Sequence, residues 1–336
     1  MSDPRPIHQY GAWPSPISVD MVVGGSRNLN AVWLDGDHVY WLEGRPQDGG
    51  RQVLMRRTSA GAAEDVTPPG YNVRTMVHEY GGGAFLVHDG LVVFSDLRDS
   101  RLHTQRLGED PRPLTSEGPY RYADPRLDAR QERVLCIRED HSVAGEEARN
   151  SVVAVALADG SVTTLVEGAD FYSHPRPDAS GERLAWLSWS HPDMPWDSSE
   201  LWVGRLGPDG VSDRRRIAGG PSESVAQPEW APDGALVFVS DRTGWYNLYR
   251  WRDATDPGPG NGALGSYPTA RFSPRDPVYP SSRTNHENSF CMFVFQWYAV
   301  AWRASGSHAL NERKGLKTGS SALAAKPVSS VMSGVI

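Results

Sequence analysis

The chain has 336 residues and carries 34 Lys plus Arg against 41 Asp plus Glu, a net charge of -7, and that balance speaks against a surface built for nucleic acid or anionic lipid. Twelve Trp and 12 Tyr, with 34 Gly and 26 Pro, suit many short strands and tight turns better than long helices. The two cysteines, Cys136 and Cys291, stand far apart and give neither a disulfide framework nor a thiolate metal site.

In chain order, Met1 to Tyr10 is polar and lacks the apolar core of a secretory signal. The expectation is a cytoplasmic protein, or an organellar one if an upstream transit segment is missing, and not a secreted one. Five segments then share one grammar: a turn with Gly or Asp and a short apolar strand ending in a large residue. They are Asp35-Gly36-Asp37-His38-Val39-Tyr40-Trp41, Asp89-Gly90-Leu91-Val92-Val93-Phe94, Gln131-Glu132-Arg133-Val134-Leu135-Cys136, Gly181-Glu182-Arg183-Leu184-Ala185-Trp186 and Asp233-Gly234-Ala235-Leu236-Val237-Phe238. Trp41, Phe94, Cys136, Trp186 and Phe238 are separated by 53, 42, 50 and 52 residues, the period of a four-stranded propeller blade. The last three are preceded by Asp124-Pro125-Arg126-Leu127-Asp128, His174-Pro175-Arg176-Pro177-Asp178 and Gln227-Pro228-Glu229-Trp230-Ala231-Pro232-Asp233, where Pro ends a connection and Asp opens a hairpin. A sandwich would show turn signals every 8 to 12 residues without this longer period. The prediction is an all-β fold: a β-propeller of four-stranded blades near 30–60, 80–115, 122–168, 172–220 and 225–253, incomplete at five, followed by a largely disordered tail.

The tail, 254–336, is written differently. No lysine precedes Asp253, whereas Lys314, Lys317 and Lys326 follow it, and the net charge changes from -11 before this point to +4 after it. The Gly/Pro run Asp256-Pro257-Gly258-Pro259-Gly260-Asn261-Gly262 marks the break. Two readings stay open: a linker with a small domain, or unrelated sequence introduced by an altered frame or splice. The run Phe290 to Trp302 is too short to span a membrane as a helix. It is β-prone and could pair with an open edge. Apolar side chains near Val39 to Leu42 and Leu236 to Val239 are expected to be bare for want of neighbouring blades, which would favour self-association.

No Gly-x-Ser-x-Gly elbow occurs, so no catalytic residue is assigned. His78-Glu79-Tyr80-Gly81-Gly82 lacks the second histidine of a zinc helix, and Gly81-Gly82-Gly83 lacks the Lys-Ser/Thr of a phosphate loop. No metal and no cofactor is expected; the glycines read as a close backbone approach or a bulge. Glu79 and Tyr80 are candidate substrate-binding residues: a channel-facing Glu79 could hold a substrate ammonium group, against the plainer role of a turn-capping or core-pairing acid. His191, Trp196 and Asp197 lie in the proline-fixed run Trp189 to Asp197 and mark either a structural corner or an interdomain contact. Trp196 is expected to pack there, so that Trp196→Ala would cost about 3 to 5 kcal/mol. His174 and His191 have no nucleophile to serve.

Tyr10-Gly11-Ala12-Trp13-Pro14-Ser15-Pro16-Ile17, Glu79-Tyr80-Gly81-Gly82-Gly83-Ala84-Phe85, His191-Pro192-Asp193-Met194-Pro195-Trp196-Asp197 and Ser240-Asp241-Arg242 together resemble the propeller of the prolyl oligopeptidase family, in its acylaminoacyl-peptidase and dipeptidyl-aminopeptidase branch. The resemblance implies a propeller of seven or eight blades capping an α/β-hydrolase domain, which restricts entry to short peptides and helps bind their N-termini. It covers about Tyr10 to Asp253 and stops after the fifth blade, before the Ser, Asp and His positions. The implied role is substrate gating for a serine peptidase, inactive alone, with short peptides and the missing α/β-hydrolase domain as partners. The competing role is a non-catalytic propeller that binds a protein or small ligand.

Overall fold

A computed structural model describes residues 15–25, 27–58, 61–253 and 262–263, with the single positions 9 and 11. The first blade consists of β1 (Asn28–Asp35), β2 (His38–Arg45), β3 (Arg51–Thr58) and β4 (Glu64–Asp65). β5 (Phe85–His88), β6 (Leu91–Ser95), β7 (Leu102–Arg106) and β8 (Arg112–Pro113) form the second. The third contains β9 (Tyr120–Asp128), β10 (Arg133–Asp140), β11 (Arg149–Ala156) and β12 (Val162–Val166), and the fourth β13 (Phe171–Pro177), β14 (Arg183–Trp189), β15 (Glu200–Leu206) and β16 (Val211–Gly219). The fifth runs through β17 (Val225–Trp230), β18 (Leu236–Ser240) and β19 (Asn247–Trp251) to β20 (Gly262–Ala263). Every sheet is an antiparallel meander in chain order. The molecule is thus a five-bladed propeller. Its fifth blade takes its fourth strand from beyond Asp253, pairing Tyr249 with Ala263 and Arg250 with Gly262.

Period-two alternation explains why the blade strands are apolar throughout. On β10, Leu135 and Ile137 join Leu184, Trp186 and Tyr172 of the fourth blade. Val134 and Cys136, which point the other way, join Leu86, Val93 and Leu102 of the second. Tyr40, Leu42 and Leu54 meet Phe85 and Phe94 between blades one and two, and Leu187 and Val203 meet Phe238 and Tyr249 between four and five. Each central blade therefore fills two interfaces at once.

The outer flanks differ from the expectation of bare apolar faces. Trp41, Val53 and Met55 are buried in a cluster with half-buried Val32 and Val39. Val237 and Val239 are buried with Ala231 and Ala235, next to Tyr246 and Leu248. Each of the two clusters draws its described members from a single blade. Phe290 to Trp302 and the tail read as disordered lie outside the described residues, apart from the two residues of β20. Among the described residues, no helix is long and apolar enough to cross a membrane.

The first strands carry a repeated device. β1, β9, β13 and β17 each contain a register shift, and Ala31, Asp124, His174 and Gln227 at those shifts adopt φ of 53°, 54°, 53° and 52°. Each is a β-bulge that bends the inner strand. At the opposite ends of these strands the Asp-led hairpins are clipped to the next blade. Asp35 accepts from the amides of Asp89 and Gly90, and Arg183, held by Asp178 at 2.8 Å, donates to the Gly234 carbonyl.

Because Leu184 is fully buried between the third and fourth blades, Leu184→Ala is expected to cost about 2 to 5 kcal/mol. Urea unfolding checks this; an unchanged midpoint would contradict the interface.

Candidate functional site

One end of the propeller gathers the crossings between blades and the turns from each second strand to its third. The segment 66–84 crosses from blade one to blade two at this end. Within it His78 and Glu79 have φ of 57° and 64°, and Gly81 has 95°. Two consecutive non-glycine residues in the left-handed region hold a tight coil that the surrounding contacts must impose.

Those contacts come from the third and fourth blades. The Glu139 carboxylate accepts from the His78 amide at 2.6 Å and lies 3.1 Å from His141 Nε2. Across the β9–β10 ladder from Glu139 stands Arg121, which donates to the Met76 carbonyl at 2.9 Å and to Glu79 at 2.6 Å. The Arg121 guanidinium holds the Glu79 carboxyl below its ordinary range. The His78 ring lies edge-on to Trp189 at 5.0 Å and Phe171 at 5.7 Å, with Tyr80 at 5.7 Å. Phe171 stacks on Trp189 at 5.4 Å and meets His191 at 5.0 Å. Burial pushes the His78 imidazole down, so it is neutral at neutral pH.

The glycine run follows from its neighbours. A Cβ on Gly83 would lie 2.4 Å from Asp124 Oδ1, and one on Gly82 would lie 3.2 Å from the Ala123 Cβ. The close approach expected of these glycines is thus present. The Gly83 amide donates to Asp124 Oδ1 at 2.8 Å, the Asp124 amide returns a bond to the Gly83 carbonyl at 2.7 Å, and the His174 amide donates to Asp124 Oδ2 at 3.2 Å. Cationic and hydrogen-bonding neighbours, His174 foremost, hold the buried Asp124 carboxyl down at about 2. Burial holds His174 at about 4.

The structure therefore brings Glu79, Tyr80 and His191 into one neighbourhood. His191 is bonded to Glu147 at 2.8 Å and to Asp170 through its amide. Trp196 and Asp197 lie farther along the same loop, which the Pro195 carbonyl ties to Ser224 and, through it, to Tyr246. Trp196 is 37% exposed, so the ring expected to pack from sequence is mostly covered but not fully buried. Glu79 reaches Arg121 at the surface, so its observed partner is a cation of the protein. Arg121, Asp124, Glu139 and Phe171 were missed, because their roles depend on register between strands. The one sequence signal, for Arg121, Asp124 and Glu139, is that charges break otherwise apolar strands; Phe171 has none.

Exposed large apolar residues among the described ones fall into two groups, Ile17, Val19, Met21 and Val22 of the N-terminal segment and a set on the strand ends and turns of this end. Leu29, Tyr80, Val143, Met194, Trp196 and Trp245 all stand at this end, with Tyr80 at 58% and Trp245 at 59% exposed. Among the described residues, Asp96, Asp99 and His103 form a group with metal-ligand types. Asp96 is already committed to the Arg98 guanidinium and the Asn72 amide, which makes the group an ion-paired corner.

No family model matches the sequence, and no curated protein matches it. Solved structures do. A mutant puromycin hydrolase complexed with PGG is 38% identical over 73% of this chain and 40% of that chain, with a TM-score of 0.68. A second structure of puromycin hydrolase is 36% identical over 76% of this chain and 42% of that one, with a TM-score of 0.69. The propeller is that of the prolyl oligopeptidase family. A puromycin-hydrolyzing peptidase of Mycobacterium tuberculosis is 34% identical over 76% of this chain and 42% of its own, with a TM-score of 0.67. The chain spans about two fifths of the length of these family members.

Two outcomes follow for this prolyl oligopeptidase-family propeller. His174 titrates near 6.5 unfolded and about 4 folded, so the unfolded state binds the extra proton between those values. Its contribution is complete above pH 6.5 and is lost as pH falls through 4, by at most about 3 kcal/mol. His174→Gln, a residue that Gln227 shows is accepted at the bulge, should flatten stability between pH 7 and 4. Thermal melts across that range decide it, and an unaltered slope would contradict the assignment. Trp196→Ala should cost less in urea than the about 3 to 5 kcal/mol of a fully buried ring, since Trp196 keeps 37% of its surface exposed; a loss in that full range would restore the packed-corner reading.

Proposed function

We propose that this chain supplies the substrate-admitting propeller of a prolyl oligopeptidase-like serine peptidase, of the acylaminoacyl or dipeptidyl type, and that its crossover end faces the catalytic α/β-hydrolase domain and the entering peptide. The observation that carries the reading is the 34% to 38% identity to puromycin-hydrolysing enzymes over about three quarters of the chain. The site chemistry supports it. Glu79 presents an exposed carboxylate on a fixed coil, buried Glu139 holds that coil through the His78 amide, and Tyr80 places exposed aromatic surface beside Glu79, backed by His78 and Phe171. A short peptide offers a matching ammonium group next to an apolar side chain. The Arg121 contact fixes the Glu79 carboxylate in place without consuming both of its oxygens.

The apolar rim of Val143, Met194, Trp196 and Trp245 fits the contact with the hydrolase domain. Such a face also suits the second reading, a propeller that binds a protein without chemistry. Lacking a Gly-x-Ser-x-Gly turn, the chain alone supplies no nucleophile, so its share of the reaction is selection and orientation. Neither a cofactor nor a metal enters this role.

Puromycin carries a free α-amine and an aromatic side chain and is the probe of choice. Equilibrium dialysis against the full chain should show saturable binding without turnover, weakened about fivefold or more in Glu79→Gln. Equal binding by wild type and Glu79→Gln would remove Glu79 from the site, and stoichiometric serine labelling by a fluorophosphonate, with turnover, would contradict the division of labour.

A further inference from the structure

We propose that Asp124 is the positioning residue of the crossover-end site: its carboxylate ties the Glu79 coil of the second blade to the inner strands of the third and fourth, and so sets where Glu79 and Tyr80 stand. This rests on the functional reading above only for what the site binds.

The four bulge positions isolate the argument. Ala31, Asp124, His174 and Gln227 occupy the same place in their blades with φ within 2° of one another. Backbone geometry is therefore common to all four, and only Asp124 carries a carboxylate. Its two oxygens are divided between neighbours on opposite sides, Oδ1 taking the Gly83 amide and Oδ2 the His174 amide. Its own amide bonds the Gly83 carbonyl, so Gly83 is held through both of its backbone polar groups. Gly83 lies four residues after Glu79, and the Gly81 amide closes the coil onto the Val77 carbonyl at 2.9 Å. The coil is thus pinned at one end by Glu139 on the His78 amide and at the other by Asp124. The approach is too close for any side chain on Gly83, since its Cβ would collide with Asp124 Oδ1. A buried carboxylate accepting two amides is a stiff anchor, because each bond is charge-assisted.

The test uses hydrogen exchange by mass spectrometry on the full chain and its Asp124→Asn, Asp124→Ala and Gly83→Ala variants. Asn favours the left-handed region, and Ala31 shows that Ala is accepted at the bulge, so backbone strain does not confuse the comparison. Loss of a charge-assisted bond should speed exchange in peptides covering 76–84 by about tenfold or more, leaving 52–58 and 236–240 unchanged. Asn keeps one neutral acceptor and should fall between wild type and Ala. Gly83→Ala should loosen the same peptides with Asp124 intact. Puromycin affinity measured on the same samples should fall as exchange over 76–84 quickens.

Unchanged exchange over 76–84 in folded Asp124→Ala or Gly83→Ala overturns the proposal, and so does general unfolding of all three, which would make Asp124 a core residue with no local role. If the coil loosens as expected while puromycin binds all variants alike, or none including wild type, the positioning role stands and the functional reading fails.

Discussion

Where the second, third and fourth blades meet, the Asp124 carboxylate joins the backbone of the second blade's approach to the inner strand of the fourth. It fills the space that a side chain on Gly83 would need and pairs with amides from the blades on either side. Three other features depend on that arrangement. Gly83, the last of the glycine run, leaves room for the carboxylate. The coil before it is closed at both ends, which sustains left-handed conformations at His78 and Glu79. The His78 ring of the coil is then delivered onto Phe171 and Trp189 of the fourth blade. A charge buried at such a junction is tolerated because cationic groups and amides compensate it, and the low position of its titration reflects those same partners.

Packing between blades and chemistry at the crossover end are separate achievements of one strand pattern. In the middle of each strand, alternate apolar side chains serve the blade before and the blade after, as Cys136 and Ile137 show by facing opposite neighbours. At the strand ends the alternation stops being apolar and the same geometry delivers charge. Arg121 and Glu139 of the third blade are paired across a ladder whose interior is hydrophobic, and both reach the segment that crosses from the first blade to the second. The rigid part of the molecule thereby orients the coil, and the coil presents Glu79 and Tyr80 outward. Exposed Trp196 and Trp245 on adjoining turns extend the surface that a partner or a catalytic domain would meet.

Much of the fold was legible because its turns are chemically constrained. Hairpins that need Asp to bond the backbone and Gly at positive φ leave a fixed spelling, seen at Asp35-Gly36, Asp89-Gly90 and Asp233-Gly234, and the spacing of those spellings is the blade period. The last strand of the fifth blade was not legible, since Gly262 and Ala263 follow a run of Gly and Pro and pair through backbone alone. At the site, Glu79 and Tyr80 were visible because an acid and an aromatic precede an unusual glycine run. Glu139 and Asp124 were not, because one acid in a strand becomes significant only when register brings a segment about 40 to 60 residues away against it. Trp196 was legible only in part: a large ring suggests a core, and here the loop is secured through the Pro195 carbonyl while the residue keeps 37% of its surface exposed.

The central claim is that the crossover end, and not the hairpin end, is where this prolyl oligopeptidase-family propeller meets its ligand. Photo-crosslinking with a puromycin derivative bearing a photoreactive aryl group, followed by peptide mapping, locates the contact directly. The account predicts adducts within 76–84 and 171–191 that excess puromycin suppresses. Adducts confined to the hairpins at 129–132 and 178–182, or none that excess puromycin suppresses, would contradict it.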